Sequence, residues 1–190
     1  MMEYNRYVAF LRGINISGKN KISMAELKQG FEELGYSEVK TYLNSGNVLF
    51  SVEEGDIDEL QHIIQKMILD KFGLKIPVYV ISRDYLAKII ENAPLWWLDE
   101  DKEKYHNLIF VISPYRADGI CHEIGEPSEG LEQIQIYDNV IFWTFDRKSY
   151  NKCNWWKKTA ATGIAEKLTI RTANTVRKIK KIREENPLGK

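Results

Sequence analysis

Tyr7-Val8-Ala9-Phe10-Leu11 is an unbroken apolar run of strand-forming residues, closed by Arg12. A strand with one wet face alternates apolar and polar residues, so a strand that is apolar throughout must be covered on both faces. Any fold for this chain therefore needs a sheet with protein packed on each side. That disfavours the single-stranded RNA readers that keep one sheet face open for base stacking. No Gly-aromatic signature of such a reader stands near Val48–Val52 either.

The segments that follow supply the covering layers. Ser23-Met24-Ala25-Glu26 has the form of a capping box and opens a helix from about Met24 to Leu34, stopped by Gly35. Val39–Leu43 and Val48–Val52 read as strands joined by Asn44-Ser45-Gly46-Asn47, a strong hairpin signal. Asp56 caps a second helix, where Ile57, Leu60, Ile63, Ile64, Met67 and Ile68 recur at helical spacing up to Gly73. Pro77–Ile81 is the next strand. The order is βαββαβ, that of the ferredoxin-like plait.

Ser82–Asn92 reads as a connecting helix ended by Pro94, after which the order recurs. His106–Ile112 is a strand, Tyr115–Ile124 is weakly helical, and Glu132–Tyr137 with Val140–Thr144 form a hairpin about Asp138-Asn139. A helix over Lys152–Lys167, a short strand Leu168–Arg171 and a final helix Asn174–Glu185 complete the set. The expected class is α+β: two tandem ferredoxin-like (βαββαβ) subdomains, the second degenerate, plus a C-terminal helix. They are placed at 1–81 and 106–190, with a connecting helix and linker at 82–105.

Composition narrows the setting. With 44% hydrophobic and 28% charged residues the chain has the makings of a core and no long disordered stretch. No apolar run approaches the roughly 18 residues of a membrane span, and Met1–Arg6 lacks the order of a secretory signal. Cys121 and Cys153 have neither metal-ligand nor disulfide-framework spacing. A cytoplasmic protein without metal or cofactor is expected. The net charge of zero hides a split, with 14 Lys and Arg against 24 Asp and Glu over 1–146 and 13 against 3 over 147–190. Either the two parts attract each other within the fold, or the basic part offers a surface to phosphates.

The loop Gly13-Ile14-Asn15-Ile16-Ser17-Gly18-Lys19-Asn20 falls one residue short of the phosphate-loop pattern GxxxxGK[ST]. Asn20 stands where a magnesium-binding hydroxyl is needed, and the helix starts several residues late, so a nucleoside triphosphatase is not expected. Two readings remain: a looser anion-binding loop using Arg12, Lys19 and the glycine amides, or a structural turn. Antiparallel pairing of the first and third strands would bring Arg12, Asn15, Asn44 and Asn47 to one sheet end. Near the C-terminus, Thr172–Thr175 opens a helix between Arg171 and Arg177, a second candidate anion site. That helix carries an apolar stripe, Val176, Ile179 and Ile182, which needs a partner. Trp96-Trp97 and Trp155-Trp156 read as packing residues, because neighbours on a helix point apart; Trp155-Trp156 beside Lys157-Lys158 also admits stacking on a base. The sequence shows no defensible nucleophile–base pair, and His122 beside Cys121 is adjacency alone.

Tyr7–Asn15 with Gly18-Lys19-Asn20-Lys21-Ile22, and Thr41-Tyr42-Leu43-Asn44-Ser45-Gly46-Asn47-Val48, resemble the two opening motifs of a bacterial family of uncharacterised proteins, domain-of-unknown-function family 1697. The family's C-terminal motif, Thr-Ala-Arg-Asn-Trp-Asn-Thr-Val, is met only in part by Thr169–Val176, which keeps Arg171, Asn174, Thr175 and Val176 but has Thr172 and Ala173 in place of the asparagine and tryptophan. Its Ser-Lys pair is represented by Lys152 alone. The resemblance implies two similar α+β subdomains and adds no catalytic residue.

Three functions follow as expectations. The first is a binder of a phosphate-containing ligand, nucleic acid or nucleotide, with Arg12, Asn15, Lys19, Asn44, Asn47, Arg171, Asn174 and Arg177 as ligand-binding residues. The second is a small-molecule enzyme with a polar pocket between subdomains, built from Arg12, Asn15, Asn44, Asn47, Arg171 and Asn174. The third is a protein-interaction module.

Overall fold

The computed structural model describes residues 5–53 and 55–184; Met1–Tyr4 and Glu185, the expected end of the last helix, lie outside the described residues. The fold is α+β, with two four-stranded antiparallel sheets. The chain divides into two compact units, Met1–Leu86 and Ala87–Lys190.

The first unit runs β1 (Asn5–Leu11), α1 (Met24–Glu33), β2 (Ser37–Tyr42), β3 (Asn47–Val52), α2 (Ile57–Phe72) and β4 (Val78–Ser82), with sheet order β2-β3-β1-β4. Local signals set these bounds. Ser23 Oγ accepts from the Glu26 amide at 3.4 Å, Asp56 Oδ1 accepts from the amides of Asp58 and Glu59, and Gly73 ends α2 at φ 67°. Tyr7, Ala9, Leu11, Val48, Phe50, Val78 and Val80 face one core with α1 and α2. Val8 and Phe10, on the other side of β1, are also fully buried. Both faces of the strand are covered, as its unbroken apolar run requires.

The β2–β3 turn shows why its glycine is there. Gly46 sits at φ 77°, and a Cβ on it would lie 2.7 Å from Leu11 Cβ and 2.8 Å from Ile14 Cδ1. Its carbonyl accepts from the Leu11 amide at 2.8 Å, which locks the hairpin turn to the end of β1. Neither the dihedral nor the space admits a side chain.

Helix α3 (Arg83–Glu91) leads into the second unit: α4 (Leu95–Leu98), β5 (Lys104–Val111), α5 (Ala117–Ile124), β6 (Glu132–Tyr137), β7 (Val140–Asp146), α6 (Asn154–Thr159), β8 (Leu168–Thr172) and α7 (Ala173–Glu184). The sheet order is β6-β7-β5-β8. Ile109, Val111, Ile141, Trp143 and Phe145 pack with α5 and α6 on one face. The opposite face meets α4 and α7, where Trp97 lies edge-on to Phe142 and Val176 and Ile179 are buried. The apolar stripe of α7 thus finds its partner. Within this unit Lys180, Lys167 and Lys148 pair with Glu91, Glu123 and Glu103 at 3.2, 2.7 and 2.6 Å, so basic C-terminal residues do meet acidic ones upstream.

The helix expected over Lys152–Lys167 is broken. It consists of one 3-10 turn (Tyr150–Lys152), the six residues of α6, and a second 3-10 turn (Ala165–Lys167). Thr159 Oγ1 turns back to the Trp155 carbonyl at 2.7 Å, and Gly163 takes φ 88°. Both are outcomes an α-helix interior resists. The start of α6 is held by the buried Glu132 carboxylate, which accepts from the amides of Ser128 and Trp155 and from Trp143 Nε1.

Among the described residues no helix is long and apolar enough to cross a membrane.

Candidate functional site

In the first unit, β1 ends beside the β2–β3 turn, with Phe10 opposite Asn47. The following loop closes on itself: the Asn15 amide donates to the Asn20 carbonyl at 3.1 Å and the Lys19 amide to the Ile16 carbonyl at 2.9 Å. Ser17 and Gly18, at φ 50° and 77°, make the turn of this small hairpin. The likeness to a phosphate loop is one of sequence, since two of the amides that would cradle a phosphate are taken by carbonyls and α1 begins only at Met24.

The asparagines here hold backbone. Asn15 Nδ2 donates to the carbonyls of Ile22 and Asn44, both at 3.0 Å, and its Oδ1 accepts from the Ile22 amide at 2.9 Å. Asn20 Nδ2 reaches the Gly13 carbonyl, and the buried Asn47 Nδ2 donates to the Tyr42 carbonyl and Ser45 Oγ. Arg12 is partly buried, which pushes its pKa down, and Lys19 is exposed on the hairpin. Asn15 and Asn44 also line a shallow groove of about 640 Å³ with Lys21, Ser23 and Glu26. Arg12, Lys19 and Asn47 do not line it.

The second unit offers a different arrangement. Strand β5 opens with four polar or amphipathic residues, Lys104-Tyr105-His106-Asn107, before its apolar half. Alternation sends His106 to the α4/α7 face, opposite Thr144, and Asn107 to the α6 face, opposite Trp143 and Thr172. Thr172 ends β8 and caps α7, its Oγ1 accepting from the Thr175 amide at 3.3 Å. Trp97 fastens the corner: its Nε1 donates to the Asn107 carbonyl at 2.7 Å, and its own carbonyl accepts from Arg177 Nη2 at 2.7 Å. The Arg177 guanidinium lies 5.1 Å from the centre of the Trp97 ring.

A cavity of about 320 Å³ opens at this corner, lined by Lys104, His106, Arg147, Thr172, Asn174 and Arg177, together with Tyr105, Ala173 and the loop residues Asp99–Lys102. Both ring nitrogens of His106 are buried without a hydrogen-bond partner. Burial, helped by the Arg177 charge and opposed by Asp99, pushes the His106 pKa below the usual imidazole range. At neutral pH the ring is therefore uncharged, with one donor and one acceptor to offer.

Two of the sequence-marked residues, Asn174 and Arg177, line this cavity. Arg171 does not: it is buried in the sheet, with Nη1 donating to Thr169 Oγ1 at 3.0 Å and to the Ile170 carbonyl at 2.8 Å. Lys104, His106 and Arg147 line the cavity without any motif in the sequence that singles them out. The signal that could have found the first two is the polar start of an otherwise apolar strand. Both thiols are pushed up to about 11 by burial, so neither Cys121 nor Cys153 is an activated nucleophile. Among the described residues no three His, Cys, Asp or Glu side chains group to hold a metal ion.

Residues 4–142 match the family described as protein of unknown function (DUF1697). The chain belongs to this family. The match covers most of the first unit and ends within β7, so β8, α7 and their contribution to the cavity lie beyond the matched residues. A solved structure covers more: the conserved bacterial protein SP0830 from Streptococcus pneumoniae is 28% identical, covering 95% of this chain and 99% of its own, with a TM-score of 0.82. The match to an unknown protein from Galdieria sulphuraria covers 90% of this chain and 98% of the other at 10% identity, with a TM-score of only 0.27. No curated protein matches the chain.

Proposed function

We propose that this DUF1697 protein binds a phosphate-containing ligand, a nucleotide or nucleic acid, at the corner where β5 meets the start of α7. The carrying observation is one cavity where Lys104, Arg147 and Arg177 gather around the N-terminal turn of α7, beside a histidine with both nitrogens unpartnered. Phosphate oxygens accept hydrogen bonds only, and this wall is rich in donors: two guanidinium groups, an ammonium, the Asn174 amide and the Thr172 hydroxyl. The N-terminal dipole end of α7 adds to the attraction. Asp99, Glu100 and Asp101 also line the cavity. Asp101 is engaged, at 3.4 Å from Lys104 Nζ and accepting from the Glu103 amide at 2.9 Å. Carboxylates suit the hydroxyls of a sugar next to the phosphate.

The same reading makes the chain a duplicated ferredoxin-like protein of the bacterial cytoplasm. Equivalent strand orders in the two sheets support the duplication, and two free cysteines suit a reducing compartment.

Calorimetric titration with inorganic phosphate tests the proposal. Binding should weaken about tenfold in Arg147→Ala, an exposed side chain whose loss leaves the fold intact, and should weaken with rising salt. Phosphate affinity unchanged in Arg147→Ala and in Lys104→Ala would remove the site from consideration.

A further inference from the structure

On the α6 side of the second sheet a cleft of about 520 Å³ is walled by aromatic rings: Tyr105, Phe145, Tyr150 and Trp156, with Asn107, Arg147 and Thr172. Three of these rings are well exposed, Tyr105 at 38%, and Tyr150 and Trp156 at 44% each. Single exposed aromatics are ordinary, but rings gathered around one cleft mark a binding surface. The rings support one another. Phe145, nearly fully buried, lies 5.3 Å from both Tyr105 and Trp156, and Tyr150 stands at 73° to Trp156 with centroids 5.1 Å apart. A flat ring entering such a corner finds the face of one aromatic and the edge of another, the two arrangements aromatic pairs prefer.

The polar member of the wall is unusual. Asn107 is only 6% exposed, and its Nδ2 has no hydrogen-bond partner. A buried unpaired amide is costly in a native protein and asks for a reason. A ligand bearing a ring nitrogen or carbonyl acceptor supplies one. The Arg147 guanidinium, 4.2 Å over the Tyr105 ring, adds donors beside the same opening. Tyr105, Arg147 and Thr172 line both this cleft and the cationic cavity, so the two spaces adjoin.

We infer that the aromatic cleft seats the base of a nucleotide whose phosphate occupies the adjoining cavity, with Trp156 and Tyr150 stacking on the base and Asn107 donating to its edge. The inference rests on the phosphate reading and narrows it to a mononucleotide. Each cavity is of the size that encloses a small ligand, and together they hold the two chemistries a nucleotide joins. Stacking on an aromatic side chain is tolerant of base identity, so the choice among bases falls to the Asn107 edge contact.

The test is titration calorimetry of the full chain with the four common nucleoside 5′-monophosphates, the corresponding nucleosides and ribose 5-phosphate. At least one monophosphate should bind about tenfold tighter than ribose 5-phosphate. Trp156→Ala, at an exposed position, should erase that gain and leave ribose 5-phosphate affinity unchanged. Monophosphates that bind no better than ribose 5-phosphate, or a gain that survives Trp156→Ala, overturn the base site while the phosphate site stands. A nucleoside that binds as tightly as its monophosphate, with that affinity lost in Trp156→Ala, upholds the base site and removes the phosphate reading. If none of the probes binds, both fall.

Discussion

The loop end of the first unit and the β5–α7 corner of the second are both polar, yet they use their polarity in opposite ways. Around Gly13–Asn20 the side-chain amides of Asn15, Asn20 and Asn47 are hydrogen-bonded to nearby backbone, and Asn15 makes three such bonds at 2.9–3.0 Å. At the corner, His106, Asn107 and Thr144 each keep a buried polar atom with no partner. Satisfied amides stabilise a scaffold, whereas unsatisfied buried groups cost stability and ask for a reason, which the proposed ligand would supply for His106 and Asn107. The most conspicuous motif in this chain, Gly13–Asn20, is held together by its own hydrogen bonds.

The comparison breaks most easily at the scaffold. Gly46→Ala should destabilise by about 3 kcal/mol, from an unfavourable φ and a methyl driven against Leu11 and Ile14. Urea unfolding measures it, and a loss below half that would mean the turn relaxes freely. Asn15→Ala should cost about 2 kcal/mol by the same assay, through its lost hydrogen bonds. A neutral result would make Asn15 a ligand residue and reverse the contrast.

At the corner the sign should invert. Thr144→Val removes a buried hydroxyl with no partner in a strand that favours β-branched residues, so stability should rise by about 0.5–1 kcal/mol. A loss of stability instead would show the hydroxyl to be satisfied. The smallest effect is on pH. The folded His106 pKa lies below its unfolded value of about 6.5, so the unfolded chain binds the proton first as pH falls. The stability held above pH 6.5 should decline through pH 6 and below, and His106→Leu should flatten that part of the profile. An identical acid limb in wild type and variant would remove His106 as its source.

Most elements are legible in the sequence because their signals are local. The capping Ser23 and Asp56, the turn at Asn44–Asn47 and the periodicity of α2 each act within a few residues, and each is where the residues place it. The stretch after Cys153 is not legible in this way. Trp156, which reads as a packing residue, is exposed, and the helix ends through a threonine back-bond and a left-handed glycine. The site was half legible. Asn174 and Arg177 announce themselves at a helix start, whereas His106 and Asn107 gain their roles from register across β5, β7 and β8, which spacing along one strand does not reveal. Arg171 carried the right charge, but lies within the sheet.

The most direct test is an amide and imidazole NMR titration of the full chain with inorganic phosphate. The shifts should concentrate on Thr172–Arg177 and the His106 ring, with Gly13–Asn20 unmoved. Shifts confined to Gly13–Asn20, with Thr172–Arg177 and His106 silent, would contradict a phosphate site at the corner.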